Sequence, residues 1–287
     1  MFFILGIKKN IRFVTLKSIG IYLNCLSYIH PEKALSKSYA LFSQPRLGRL
    51  QKEKLPAILQ NTITETFTHE DHHFQTYIWQ GNENTILLVH GWESNSARWE
   101  KTLPYLQKSG STIIALDAPA HGQSSGVEFN VPLYTQFIQK AVQKYQPKSI
   151  IGHSIGGIAC VYHQYLFPES SIQKMVILGA PSDLRTLLNN YQGMLGLNRK
   201  NYSLLERRFL THFNFNVEDF SGSKFAEKIT IEGLIAHDQT DTVVAYSEGE
   251  KMATSWKKSQ FITTNGLGHG MHNSDLYEKV YSFLFSS

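Results

Sequence analysis

Gly152-His153-Ser154-Ile155-Gly156 is the stretch whose residue types and spacing point most directly to chemistry. An apolar run, Ser149 to Ile151, enters it, and a helical run, Ile155 to Phe167, leaves it. A serine on so sharp a strand-to-helix turn takes a strained backbone conformation, and its neighbours must be glycine to avoid clashes. The hydroxyl then stands at the carboxyl edge of a sheet, beside the free N–H groups of the next helix. Alone, the pattern is weak, because roughly one chain in ten of this length carries it by chance. Its weight comes from the partners the rest of the chain supplies.

A serine hydroxyl is a poor nucleophile near neutral pH. It needs a base to take its proton and a third group to fix that base's tautomer. A turn of this kind predicts the chain order serine, then Asp or Glu, then histidine, with each partner in a loop after a later strand. Two such loops follow Ser154, His237-Asp238-Gln-Thr-Asp241 and Asn265-Gly-Leu-Gly-His269-Gly. The assignment is therefore Ser154 as nucleophile, His269 as general base and then acid, and Asp241 as its orienter. Asp238 is the rival acid; Asp241 is preferred because Asp241-Thr-Val-Val places it where the loop turns into the next helix. His272 is the rival base; His269 is preferred because Gly268 and Gly270 flank it. His153 adjoins Ser154, so its side chain is expected to point away and pack. The oxyanion formed on attack needs two main-chain donors. The N–H groups of Ile155 and Trp92 are the candidates, and the Trp92 ring is a candidate wall for an acyl pocket.

The elements around these residues read as alternating strands and helices. Thr62 to Thr68 and Phe74 to Trp79 alternate with period two, and His69-Glu70-Asp71-His72-His73 between them reads as a solvated hairpin turn in preference to a metal cluster. Thr85 to Val89, Thr112 to Leu116, Ser149 to Ile151 and Lys174 to Leu178 are apolar runs of the kind buried on both faces of a parallel sheet. Thr230 to Ala236 and Gln260 to Thr264 complete the strands. Helices are predicted over about 97–108, 131–145, 155–167, 245–256 and 275–285. The pattern predicts an α/β domain over 61–287 with a mostly parallel eight-stranded sheet flanked by helices. Residues 183–228 interrupt the alternation with aromatic-rich helical stretches and read as a helical lid insertion. Residues 1–60 read as an N-terminal helical extension, with a second helix over about 32–42.

The chain has 287 residues, a net charge of +5 and 42% hydrophobic residues, an ordinary composition for a globular protein. Lys and Arg are scattered and no nucleic-acid motif is visible, so nucleic acid is not an expected partner. Two cysteines, Cys25 and Cys160, form no disulfide framework or zinc spacing, which suits a reducing compartment. The apolar runs near the N-terminus are too short to span a bilayer, and their charges follow the apolar stretch where a signal peptide has them before it. A cytoplasmic location is expected. Ile11, Val14, Ile19, Leu23 and Leu26 recur at helical spacing beside Lys8, Lys9, Arg12 and Lys17, which leaves open peripheral membrane contact through residues 8–29. The sequence does not set the oligomeric state.

His90-Gly91-Trp92, Asp117-Ala-Pro-Ala-His121-Gly122-Gln-Ser124, Gly152-His153-Ser154-Ile155-Gly156-Gly157, Asp241-Thr-Val-Val and Gly268-His269 fall in one order and approximate spacing. In this the chain resembles the α/β-hydrolase fold superfamily over about residues 62–287, with the character of a serine hydrolase of the carboxylesterase and lipase kind. Ala120 stands where that family usually has glycine. The resemblance implies Ser–His–Asp machinery without a metal or organic cofactor, usually acting on esters. The same superfamily includes thioesterases, lipases, peptidases, C–C bond hydrolases and non-catalytic receptors. The expected activity is hydrolysis of a hydrophobic ester or thioester through an acyl-enzyme. The alternative is a hydrolase-fold protein that binds a small ligand with little or no turnover.

Overall fold

The structure, a computed structural model, describes the backbone of residues 2–285 and the side chains of residue 11 and residues 13–285. In chain order it opens with helices α1 (Phe2–Ile29), α2 (Pro31–Ser43) and the short α3 (Ala57–Gln60). Strands β1 (Ile63–His69), β2 (His72–Trp79) and β3 (Asn82–Val89) follow, then α4 (Leu103–Gln107), β4 (Ser111–Leu116), α5 (Val131–Tyr145), β5 (Ser149–His153), α6 (Ile155–Leu166) and β6 (Lys174–Leu178). The remainder is α7 (Leu184–Leu195), α8 (Arg199–Phe213), α9 (Gly222–Ala226), β7 (Glu232–Asp238), α10 (Tyr246–Ser255), β8 (Ser259–Thr264) and α11 (Ser274–Phe285).

The chain divides into two compact units, one of residues 45–182 and 221–287, the other of residues 1–44 and 183–220. The larger holds an eight-stranded sheet in the order β1-β2-β4-β3-β5-β6-β7-β8. From β4 to β8 every neighbour is parallel, while β2 runs antiparallel to both β1 and β4. The chain leaves β3 toward β4, then crosses back over β3 to form β5. That reversal opens a crevice at the carboxyl ends of β3 and β5, where open α/β sheets bind ligands.

The central strands are apolar on both faces because helices cover both. Ile86, Leu88, Ile113, Ala115, Ile151, Val176, Leu178, Leu234 and Ala236 alternate onto one face, packed with Leu103 and Leu106 of α4 and Leu276, Val280 and Leu284 of α11. The intervening residues, among them Leu87, Ile150 and Ile177, are also buried. The helix expected over 97–108 is broken in two, a 3₁₀ turn over Ser96–Lys101 and then α4. Pro104 explains the break, since it has no N–H to donate and fits the first turn of a new helix. The 69–73 run is a tight turn between β1 and β2, with His69 opposite His72 and Glu70 at φ 49°. Among the described residues no group of three or more His, Cys, Asp or Glu is placed to hold a metal ion.

Asp117 follows β4 directly and is fully buried, its carboxylate accepting from Ser96 N and Oγ, Tyr77 Oη and Gln123 N. Burial raises its pKa, against the lowering effect of those bonds. His90 accepts from Ala118 N through Nε2 and donates Nδ1–H to Gly91 O; His121 accepts from Glu93 N and donates to Pro119 O in the same way. Desolvation lowers both imidazoles to about 4, so they are neutral pins holding the β3 and β4 loops together. Ala120 sits in this loop at φ 62°, a left-handed conformation that glycine adopts at less cost.

In the smaller unit, α2 and α8 share an aromatic core. Phe209 meets Tyr39 and Phe42 edge-on, Phe42 meets Tyr191, and Phe213, Phe215 and Phe220 extend the chain of rings. Tyr191, Phe209, Phe213, Phe215 and Phe220 thus pack within their own unit. Residues 221–228, with α9, belong to the larger unit. Among the described residues no helix is long and apolar enough to cross a membrane.

Candidate active site

Ser154 follows β5 directly and caps α6 at φ 54° and ψ −129°. A side chain bearing Cβ rarely occupies this region, and such strain persists only where the surroundings enforce it. The surroundings here are backbone. A Cβ on Gly156 would lie 2.3 Å from His90 O, and one on Gly152 would lie 2.6 Å from Gly157 Cα. The glycines thus let α6 press against β3 and β5, and that pressure forces Ser154 outward.

His269 is brought to Ser154 by the loop after β8. Its Nε2 lies 2.9 Å from Ser154 Oγ, and its Nδ1 lies 2.7 Å from Asp241 Oδ2. With Asp241 ionised, Nδ1 carries the proton and donates it, leaving Nε2 to accept from the serine hydroxyl. The Asp241 side chain is fully buried. Burial alone would raise its pKa, but bonds from His237 and His269 and from the Val244 and Val243 N–H groups outweigh it. The carboxyl is held far below the usual carboxylate range and stays charged throughout the neutral region.

The structure separates the rivals by what they touch. Asp238 is not bonded to His269. Its Oδ1 accepts from Thr240 and from Gly268 N at 3.1 Å, and its Oδ2 accepts from Thr264 Oγ1 and Leu267 N at 2.8 and 3.0 Å. Desolvation again opposes these bonds and loses, so Asp238 too is held well below its ordinary pKa. It ties down the strand-to-loop corner that carries His269. His272 accepts instead from Tyr277 Oη at 2.5 Å, and burial lowers it to about 4.

Three contacts were not expected from sequence. His153 is buried and reaches the loop of the base, not Ser154. It donates Nε2–H to His269 O at 2.8 Å, and the two rings lie 4.9 Å apart. Desolvation pushes its pKa far down, with half-buried Arg98 nearby adding to the effect, so the ring stays neutral. His237 Nε2 lies 3.5 Å from Asp241 Oδ2 and 3.1 Å from Val244 O. Arg98 donates to Gly270 O at 3.2 Å, holding the far side of the His269 loop.

The amide N–H groups of Trp92 and Ile155 donate to no acceptor among the described residues. Ile155 begins α6, where the first N–H groups have no intrahelical partner. The Gly91–Trp92 turn approaches the nucleophile closely enough that a Cβ on Gly91 would lie 2.8 Å from Ser154 Cβ. Two free main-chain donors therefore flank Ser154. The Trp92 ring is half-buried, edge-on to Phe129 at 5.6 Å.

A family model described as alpha/beta hydrolase fold matches residues 84–222. A serine hydrolase-like protein of Danio rerio is 31% identical over 115 residues, 37% of this chain and 35% of that one. The matched stretch is thus about a third of that relative's length. A bifunctional esterase/perhydrolase of Acinetobacter calcoaceticus is 24% identical over 239 residues, 66% of this chain and 86% of that one. Among solved structures, a bromoperoxidase from Bacillus anthracis superposes with a TM-score of 0.61 at 18% identity, covering 77% of this chain and 99% of that one.

Proposed function

We propose that the chain belongs to the α/β-hydrolase fold superfamily and is a serine hydrolase that cleaves an ester or thioester through an acyl-enzyme. One observation carries this reading: the unbroken hydrogen-bonded path from Ser154 Oγ through His269 to Asp241, at 2.9 and 2.7 Å, set on a strained turn. Neutral His269 takes the hydroxyl proton on Nε2 as Ser154 Oγ attacks the carbonyl carbon. The buried Asp241 carboxylate stabilises the imidazolium that forms. The Trp92 and Ile155 N–H groups receive the oxyanion, where one donor is typically worth about 10²–10³ in rate. His269 then returns the proton to the departing alkoxide or thiolate, and a water molecule repeats the sequence to free Ser154.

A hydrophobic acyl group is favoured by what stands near the triad. The Trp92 ring is half-buried, and Val243, two residues past Asp241, is 62% exposed. The free thiol of Cys25, exposed on the surface, fits a reducing, cytoplasmic setting. The test is a rapid-mix assay with 4-nitrophenyl esters of increasing acyl length. An initial burst of nitrophenolate that scales with enzyme and is absent in Ser154→Ala supports the acyl-enzyme. Ligand binding without burst or turnover would overturn it in favour of a binding protein.

A further inference from the structure

Helix α1 is apolar on the wrong side. From Lys17 onward its inner face is engaged within the smaller unit: Leu23 and Ser27 are buried, and Gly20 passes so close that a Cβ would lie 1.8 Å from Leu195 O. Asn24 accepts from Asn198 N and donates to Gly196 O, both at 2.8 Å, and Lys17 Nζ donates to Gly193 O at 2.7 Å. The outer face ought then to be polar. It carries Ile11, Val14, Ile21, Tyr22, Tyr28 and Ile29, each between 52% and 70% exposed. With Ser18 and Cys25, also exposed, they recur every three or four residues as one outward stripe. From residue 11 to 29 it runs roughly 27 Å along the helix. Scattered exposed apolar residues need no explanation, but a continuous stripe marks an interaction surface.

Charge says what covers it. Residues 2–29 hold four basic residues and no acidic one. The smaller unit carries eleven Lys and Arg against five Asp and Glu, while the larger carries seventeen against eighteen, so the net charge of +5 comes from the unit that bears the stripe. Lys200 holds its ammonium 4.6 Å from the Tyr28 ring, and Lys17 lies 5.6 Å from Phe13, placing cations beside exposed aromatic rings. A second copy of the chain would set this basic helix against its own equal, with no acidic residue on either to compensate.

We propose that α1 is an interfacial anchor, lying flat in the headgroup layer of an anionic bilayer with the Ile11-to-Ile29 stripe turned into the acyl boundary. This goes beyond the hydrolase reading and does not depend on it. In that position Lys200, beside the Tyr28 ring, meets lipid phosphates and carboxylates, and the long axis stays parallel to the surface.

The experiment is flotation of the full chain with vesicles of phosphatidylcholine alone and of phosphatidylcholine with phosphatidylserine as the minor component. The expected result is flotation with the serine lipid, weakened by salt, and little with phosphatidylcholine alone. Ile21→Glu combined with Ile29→Glu should lower partitioning by about tenfold or more, with an unchanged melting profile. A polarity-sensitive dye on Cys25, the exposed cysteine, should shift to the blue on adding the anionic vesicles to the otherwise unsubstituted chain. That arm needs no folding control. Failure of the wild type to float, flotation that survives both substitutions, or a dye already blue-shifted in a lipid-free dimer that the double variant splits would each overturn the proposal. The last outcome would assign the stripe to a second copy.

Discussion

At the scale of single residues, two aspartates three positions apart hold different jobs, and their contacts predict different failures. Asp241→Asn should leave the fold intact and lower kcat by about 10⁴-fold, because the amide no longer fixes the Nδ1–H tautomer of His269. Asp238→Ala should instead cost about 1–3 kcal/mol of stability, because the Leu267 and Gly268 N–H groups lose their acceptor. Urea unfolding beside steady-state kinetics separates the two. His153→Phe keeps a ring beside the base but removes its bond to His269 O, and should lower kcat about three- to tenfold with KM unchanged. The Ser154, Asp241 and His269 positions were legible because the order of partners is imposed by strand topology. The role of His153 was not, because adjacency in sequence says nothing of where a side chain reaches across a sheet edge.

At the scale of elements, the turn at Ser154 depends on backbone meeting backbone. Gly156→Ala puts a Cβ 2.3 Å from His90 O, a main-chain atom that cannot swing aside. The expected outcome is loss of folded, soluble protein, read by expression and circular dichroism. The reverse case is Gln146, which ends α5 in the left-handed conformation at φ 46° while exposed. Gln146→Gly should stabilise by about 0.5–1 kcal/mol in thermal unfolding. The strands were legible because parallel strands buried on both faces read as continuous apolar runs. The break at Pro104 was read through, since a proline at the start of a helix and one within it look alike until the preceding turn is placed. The packing of the aromatic residues of 183–220 was not legible for a related reason: sequence shows a ring's presence but not which other ring it meets.

For the whole molecule, several imidazoles are buried in the neutral form. His90, His121 and His163 are each lowered by desolvation from 6.5 to about 4. Between those values the unfolded chain binds protons that the folded chain does not, so stability rises with pH and falls as pH drops from 6.5 toward 4. Each such group contributes on the order of 3 kcal/mol across that window. Urea midpoints measured at pH 7, 6, 5 and 4 should therefore decline steeply below about 6. A flat profile would mean that these side chains are solvated in the native state. The pairing of residues 1–44 with 183–220 could not be read from the sequence, because no periodicity links segments so far apart.

Whether Ser154 is an activated nucleophile is decided by labelling with a fluorophosphonate, with the modified residue located by mass spectrometry. Stoichiometric modification of Ser154 is expected in the wild type, none in Ser154→Ala, and a rate lowered by several orders of magnitude in His269→Ala. Labelling at another residue, or equal labelling of wild type and His269→Ala, would contradict an activated Ser154.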